Sequence, residues 1–225
     1  VTVKNVNANE NWFGGVVIDI QGTGTVLMEN ISASYNGQKP GASDFSIVES
    51  GVFVYIGTSG SATLKNITAH YNDAVNTSHP AESWDGIDIW VKGAITASGL
   101  RANYNGGWGI NISQFPNVVA PIMLKDAIAN GNEGHGIHIY NSAGTVTLDS
   151  LEASDNGAAG LLVNNTFGTG AVTLLASLRP NIFYDNTGLF YNPESASTET
   201  YPGVQIDTSG AVTLNKLTAS MNPYG

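Results

Sequence analysis

No cysteine occurs in this chain of 225 residues. That excludes disulfide staples and thiolate-held metals, and it leaves the redox compartment open. Charge is sparse too: Asp, Glu, Lys and Arg together make up 12% of the residues, and the few basic ones are scattered. With a formal net charge of −10 there is no basic surface to track a phosphate backbone, so no nucleic-acid partner is expected. No run of about 18 apolar residues is present, so no membrane span is expected. No basic-plus-apolar leader is seen, and a start at Val1 leaves room for one already removed. Helical periodicity is missing throughout. What is abundant is Gly, Asn, Ser and Thr, on a chain that is 42% hydrophobic. This is the composition of a secreted β-protein, with enough apolar matter for one sizeable core over residues 1–225.

The chain repeats itself. VTVKNVNANEN at 1–11, VLMENISASYN at 26–36, ATLKNITAHYN at 62–72, ITASGLRANYN at 95–105, IMLKDAIANGN at 122–132, VTLDSLEASDN at 146–156 and VTLNKLTASMN at 212–222 share one template. Apolar residues hold positions 1, 3 and 6, a small residue holds 8, and Asn holds 11. A degenerate copy runs from Val172 to near Asn186, with Ser177 and Arg179 breaking the pattern. After each Asn comes Gly and a short apolar alternation, as in GVVIDI (15–20), GVFVYI (51–56), GIDIWV (86–91), GINI (109–112), GIHI (136–139), GLLV (160–163) and GVQID (203–207). Period-2 segments this short, rich in Val, Ile and Thr and punctuated by Gly and Asn, predict strands. Each copy is one coil of three short strands. Such a coil buries its apolar face only by stacking on its neighbours, about 4.8 Å away.

These repeats predict an all-β parallel solenoid of about eight turns. The sequence resembles the right-handed parallel β-helix (pectin-lyase-like) superfamily over essentially its whole length, in the style of noncatalytic repeats of bacterial surface and extracellular proteins. That fold hosts enzymes, adhesins and spacers alike. Inward positions such as Val52, Val54, Ile87, Ile89, Ile137 and Ile139 predict aliphatic stacks. The Ala series (Ala8, Ala33, Ala69, Ala102, Ala129, Ala153, Ala219) predicts a tight corner. The Asn series (Asn11, Asn36, Asn72, Asn105, Asn132, Asn156, Asn222) predicts an internal amide ladder, because Asn tolerates left-handed corners and buried amides need partners. A Thr series (Thr2, Thr63, Thr96, Thr147, Thr173, Thr213) lies outward as a β-propensity ladder.

Function gathers where a regular scaffold admits irregular loops. The corner after the ladder Asn is short in several coils but swells at 37–50, 73–85 and 187–202, all from one edge. The long corners bracket about three lower coils, a cleft on the order of 14 Å across. Its expected lining is Trp84, Asp88, Trp90, Trp108, Asn111, His135, His138 and Tyr140. Aromatic faces beside carboxyls and imidazoles suit a carbohydrate. Gly134-His135-Gly136, with SWDGIDI at 83–89, is similar to motifs of polygalacturonases, and that resemblance makes Asp85 the counterpart of a catalytic aspartate. Where the family has an Asp-Asp pair this chain reads Gly106-Gly107, and no Arg-x-Lys follows. Inversion needs two carboxyls about 6.5–9.5 Å apart. If the chain is an enzyme, a hydrolase or lyase, Asp85, Asp88, Glu133 and His135 are its candidates; the expectation is that it is not one. No cofactor is expected. Asp44 with Glu49, or Asp73, Glu82 and Asp85, offer oxygen ligands to Ca²⁺ without a spaced calcium loop. His70, His79, His135 and His138 lack zinc spacing. Sequons begin at Asn30, Asn66, Asn76, Asn111 and Asn164.

Both ends stop in mid-scaffold, without a capping element. The expectation is an excerpt of a longer solenoid, or a subunit that self-associates end to end into a filament. Taken together, the sequence points to a structural or adhesive β-solenoid, extracellular or at the cell surface, whose loop-lined edge makes lateral or glycan contacts.

Overall fold

The computed structural model describes residues 1–11, 13–37, 50–72, 84–115, 118–140, 142–192 and 197–224, with backbone only for 190–192 and 197. Two parallel sheets carry the fold. One runs Thr2–Asn7, Gly24–Ser32, Gly60–Thr68, Ile95–Arg101, Ile122–Ile128, Val146–Glu152, Val172–Leu175, Val212–Leu214 in spatial order. The other runs Val16–Ile20, Val52–Ile56, Ile87–Val91, Ile110–Ser113, Ile137–Tyr140, Leu161–Asn165, Val204–Thr208. Order in space equals order in sequence, which is what stacking successive coils requires.

In the coils that carry Thr2–Asn7, Gly24–Ser32, Gly60–Thr68, Ile95–Arg101, Ile122–Ile128 and Val146–Glu152, two of the three expected strands are continuous, joined through a single left-handed residue. Asn5, Asn30, Asn66, Gly99, Asp126 and Ser150 occupy that bend, with φ between 52° and 66°, and Lys216, at 45°, stands between the separate strands Val212–Leu214 and Leu217–Ser220. Asn, Asp and Gly tolerate this conformation best. The strand therefore turns without breaking its ladder, and template positions 3 and 6 both point inward across it. Leu64 and Ile67, Ala97 and Leu100, Leu124 and Ala127, Leu148 and Leu151 are accordingly all buried.

The aliphatic stacks form one continuous core. Val52, Val54, Ile56, Ile87, Ile89, Ile110, Ile112, Ile137, Ile139, Leu161 and Val163 are buried from the second sheet. Each such side chain contributes on the order of 1.5–3 kcal/mol by leaving water. The corner Ala residues are small because the glycine opening the next strand faces them: a Cβ on Gly109 would lie 2.9 Å from Ala129 Cβ and 2.6 Å from Asn132 Nδ2.

The Asn series forms an unbroken ladder. Each side-chain amide donates to the Oδ1 of the next Asn, from Asn11 to Asn36 (2.8 Å), Asn72 (3.0 Å), Asn105 (2.9 Å), Asn132 (2.9 Å), Asn156 (3.0 Å), Asn186 (2.9 Å) and Asn222 (3.0 Å). Every one of those acceptors also takes the backbone N–H of the preceding Asn. Asn186, in the degenerate copy, is a full member. That copy survives by exchange: Phe183, fully buried, holds the Ala position, while buried Asn181 holds the preceding apolar one. Asn181 is satisfied by the Leu151 N–H and by the Leu175 and Asn215 carbonyls. The irregular Ser177–Arg179 stretch between its strands is held by Asp149 and Ser150, which accept the backbone N–H groups of Ser177, Leu178 and Arg179.

Candidate functional site

The insertions 38–49 and 73–83 lie outside the described residues, and with them His79, Asn76 and the Ca²⁺ candidates Asp44, Glu49, Asp73 and Glu82. Among the described residues no group of three His, Asp or Glu is placed to hold a metal ion. The third insertion is described in part: Leu189–Asn192 pairs antiparallel with Ser197–Thr200.

Register on the second sheet decides which side chains meet. Parallel pairing aligns Phe53, Asp88, Asn111, His138 and Leu162 in one outward row, and Tyr55, Trp90, Ser113 and Tyr140 in the next. The first row is wired by hydrogen bonds. The Trp90 indole N–H donates to Asp88 Oδ1 at 2.8 Å, and Asn111 Nδ2 donates to the same oxygen at 2.8 Å. Asn111 Oδ1 is thereby turned toward His138 Nδ1, 3.1 Å away, so that nitrogen carries the proton and Nε2 is the acceptor.

The corners supply the rest. Asp85 Oδ1 accepts the Trp108 backbone N–H at 2.8 Å. Its Oδ2 is buried with no partner among the described residues. His135 Nδ1 accepts the Ala159 N–H at 3.1 Å, which leaves the proton of the neutral ring on Nε2. The Trp108 ring lies 4.7 Å from that of His138 and 6.0 Å from that of His135. Tyr201, at the end of the third insertion, meets His135 edge-on at 4.6 Å and donates its hydroxyl to Glu199.

Two glycines of the motifs are explained by close approach. A Cβ on Gly107 would stand 2.6 Å from Asp85 Oδ1, and one on Gly134 would stand 2.3 Å from the Trp108 ring. Gly107, the second residue of the Gly106-Gly107 step read as the loss of an Asp pair, is thus also the space that admits the buried Asp85 carboxyl. Gly134 of the Gly-His-Gly motif is the bed of an indole.

Burial sets the protonation. Asp88 is pushed up to about 7 by desolvation, against the pull of the Asn111 and Trp90 hydrogen bonds. Asp85 is raised well above its ordinary range by burial and then by the charge of Asp88. Desolvation holds His138 down at about 4; His135 is lowered well below 6.5 by burial and by His138. Near neutral pH the site therefore contains neutral imidazoles and a carboxyl pair that keeps at least one proton.

The sequence expected His135 and His138 to lie open on a cleft floor. They point away from the core but are covered, at 3% and 7% exposure, by Trp108, Tyr140 and Tyr201. Asn111 is 1% exposed, so its sequon is closed in the folded chain. Tyr140 is exposed and Trp84, Trp90 and Trp108 are half-buried. Glu133 is exposed at the corner one coil beyond Trp108. Sequence reasoning missed Tyr201, Phe53, Tyr55 and Phe115. The last of these meets Tyr55 at 5.8 Å and Trp90 at 6.5 Å, and Lys92 Nζ stands 4.5 Å from its centroid. The period-2 alternation already placed Phe53 and Tyr55 outward beside Asp88 and Trp90, a signal that was available.

A family model described as a right-handed beta helix region matches residues 1–175. No curated protein and no solved structure matches the chain. No helix is long and apolar enough to cross a membrane among the described residues.

Proposed function

Because this chain belongs to the right-handed β-helix family, which fixes a scaffold and no single activity, we propose that it is a noncatalytic extracellular β-solenoid. Its second-sheet face, from Phe53 to Tyr140, makes the contact with a glycan. The observation that carries this reading is the layering of the site. Asp85, Asp88, Asn111, His135 and His138 lie beneath the surface, hydrogen-bonded, the carboxyl pair retaining a proton and the imidazoles neutral, while Tyr140 and the half-buried Trp84, Trp90 and Trp108 form the part a ligand can touch. Aromatic faces bind sugar rings without charge, and a net charge of −10 favours a neutral polysaccharide over an acidic one. Among the described residues both sheets end in unpaired edges, Thr2–Asn7 with Val16–Ile20 and Val204–Thr208 with Val212–Leu214. A second copy stacked on either edge would continue the ladders and give an extended surface object. Affinity electrophoresis in gels containing neutral or acidic polysaccharides tests the contact. Retardation by a neutral polymer, lost in a Trp90→Ala, Tyr140→Ala double variant, is expected; retardation unaffected by that variant refutes the assignment.

One observation favours a second reading, a polysaccharide hydrolase. Asp85 Oδ2, without a partner among the described residues, beside a raised Asp88 is the kind of perturbed carboxyl pair found at reactive sites. On that reading, reducing-sugar release depends on Asp85 and Asp88.

A further inference from the structure

The residue before each ladder Asn sits in the left-handed conformation, and in three successive coils it is tyrosine. Tyr35, Tyr71 and Tyr104 have φ of 58°, 54° and 56°. Elsewhere the same corner holds Glu10, Gly131, Asp155, Asp185 and Met221, also at positive φ, so the backbone does not ask for an aromatic. For a bulky side chain this conformation is strained, and persistent strain marks a position under another constraint. The three rings stack along the solenoid axis, with centroids 5.0 Å and 5.1 Å apart and planes inclined by 13° and 11°. Tyr104 in turn lies over Gly131, where a Cβ would come within 2.6 Å of its ring. The ring faces are thus occupied by one another. The three residues nonetheless remain 45%, 41% and 54% exposed.

We propose that this stack is a site of oxidative tyrosine coupling, where Tyr71 joins Tyr35 or Tyr104 as a dityrosine and staples adjacent coils covalently. The co-reactant is a peroxide acting through a peroxidase. Each phenol gives up one electron and one proton, the two phenoxyl radicals form a bond between ring carbons ortho to oxygen, and the rings regain aromaticity. Two hydrogens leave in all, and one peroxide is reduced to two waters. The geometry favours coupling within the chain over coupling between chains. Backbone bonds fix the register of all three residues, Tyr35 N–H to the His70 carbonyl at 2.9 Å, Tyr71 N–H to Asn103 at 3.1 Å and Tyr104 N–H to Asn130 at 2.9 Å. The rings already stand close enough that coupling needs mainly reorientation of exposed side chains. A covalent link between coils is also what a chain without cysteine otherwise lacks. Tyr140, Tyr184 and Tyr224 are exposed as well but have no tyrosine stacked on them among the described residues, so they serve as internal controls.

The test treats the dilute protein with peroxidase and hydrogen peroxide and maps tryptic peptides. Lys65, Lys92 and Arg101 lie between the three tyrosines and place them on separate peptides. The expected product keeps the monomer mass less two hydrogens, links the Tyr71 peptide to that of Tyr35 or Tyr104, and melts on the order of 10 °C higher. Tyr71→Phe, which keeps the ring stack, abolishes the product, and Tyr140→Phe leaves it. The proposal is overturned if coupling is only intermolecular or maps to other tyrosines. It is equally overturned if coupling survives Tyr71→Phe, or is absent where free N-acetyltyrosinamide couples under the same conditions.

Discussion

Replacing Asp88 by asparagine should make the protein less sensitive to alkali. In the unfolded chain Asp88 ionises near 3.8, whereas the folded chain keeps its proton to about 7. Between those values the unfolded state binds fewer protons, so this carboxyl's contribution to stability is complete below pH 3.8 and is lost as pH rises through 7. A displacement of that size is about 4 kcal/mol, of which ~3 kcal/mol falls between pH 5 and pH 8. The amide that replaces the carboxyl would retain an oxygen to accept the Trp90 and Asn111 N–H groups but would have nothing to ionise. Any cost of accommodating its N–H₂ is the same at both pH values, so the difference between them reports the charge of Asp88, together with the push that charge gives to Asp85 in the same direction. Asp88→Asn should therefore gain on wild type by ~3 kcal/mol between pH 5 and pH 8, roughly 5–10 °C in Tm for a chain of this length. Thermal melts of both proteins at the two pH values measure it. A gap that does not change with pH, or that shrinks as pH rises, refutes the reasoning.

The histidines should show the opposite sign. Their folded values lie below 6.5, with His138 at about 4, so the stability they contribute is complete above pH 6.5 and is lost as pH falls toward 4. Imidazole NMR should find both rings still neutral at pH 5.5, and titration of either near 6.5 would contradict their burial. Asn105→Ala removes a ladder rung that accepts two N–H groups from Asn72 and donates to Asn132. It should cost about 3–5 kcal/mol in denaturant melts, against about 1 kcal/mol or less for Asn11→Ala at the exposed first rung. Equal costs would contradict the ladder's role. Gly60→Ala places a Cβ 1.9 Å from the Gly24 carbonyl oxygen and should destabilise by more than about 3 kcal/mol, while Gly22→Ala, with nothing within 4 Å, should be near neutral.

The repeat made the scaffold legible because stacking converts each template position into a physical column: apolar to core, Ala to tight corner, Asn to ladder. It failed where a coil kept the geometry by exchanging residues. Phe183 and Asn181 together fill one cross-section that Ala and an apolar residue fill elsewhere, and no single-position template contains that compensation. The site was legible only as a set of outward positions. That Asp88, Asn111 and His138 form one wired row follows from exact parallel register, while Trp108 packs on His138 and Tyr201 on the neighbouring His135. Tyr201 belongs to an insertion, where the template gives no register. The two histidines were therefore expected at a surface that the aromatic cover removes.

The central claim, a face that holds a glycan without cleaving it, is tested most directly by measuring reducing ends. Wild type, Asp85→Asn, Asp88→Asn and Trp90→Ala, Tyr140→Ala proteins are incubated with the polysaccharide that retards wild type in gels. The account predicts no release above background from any of them, with retention lost in the aromatic variant alone. Release by wild type that disappears in Asp85→Asn or Asp88→Asn would contradict it and establish the buried carboxyl pair as catalytic.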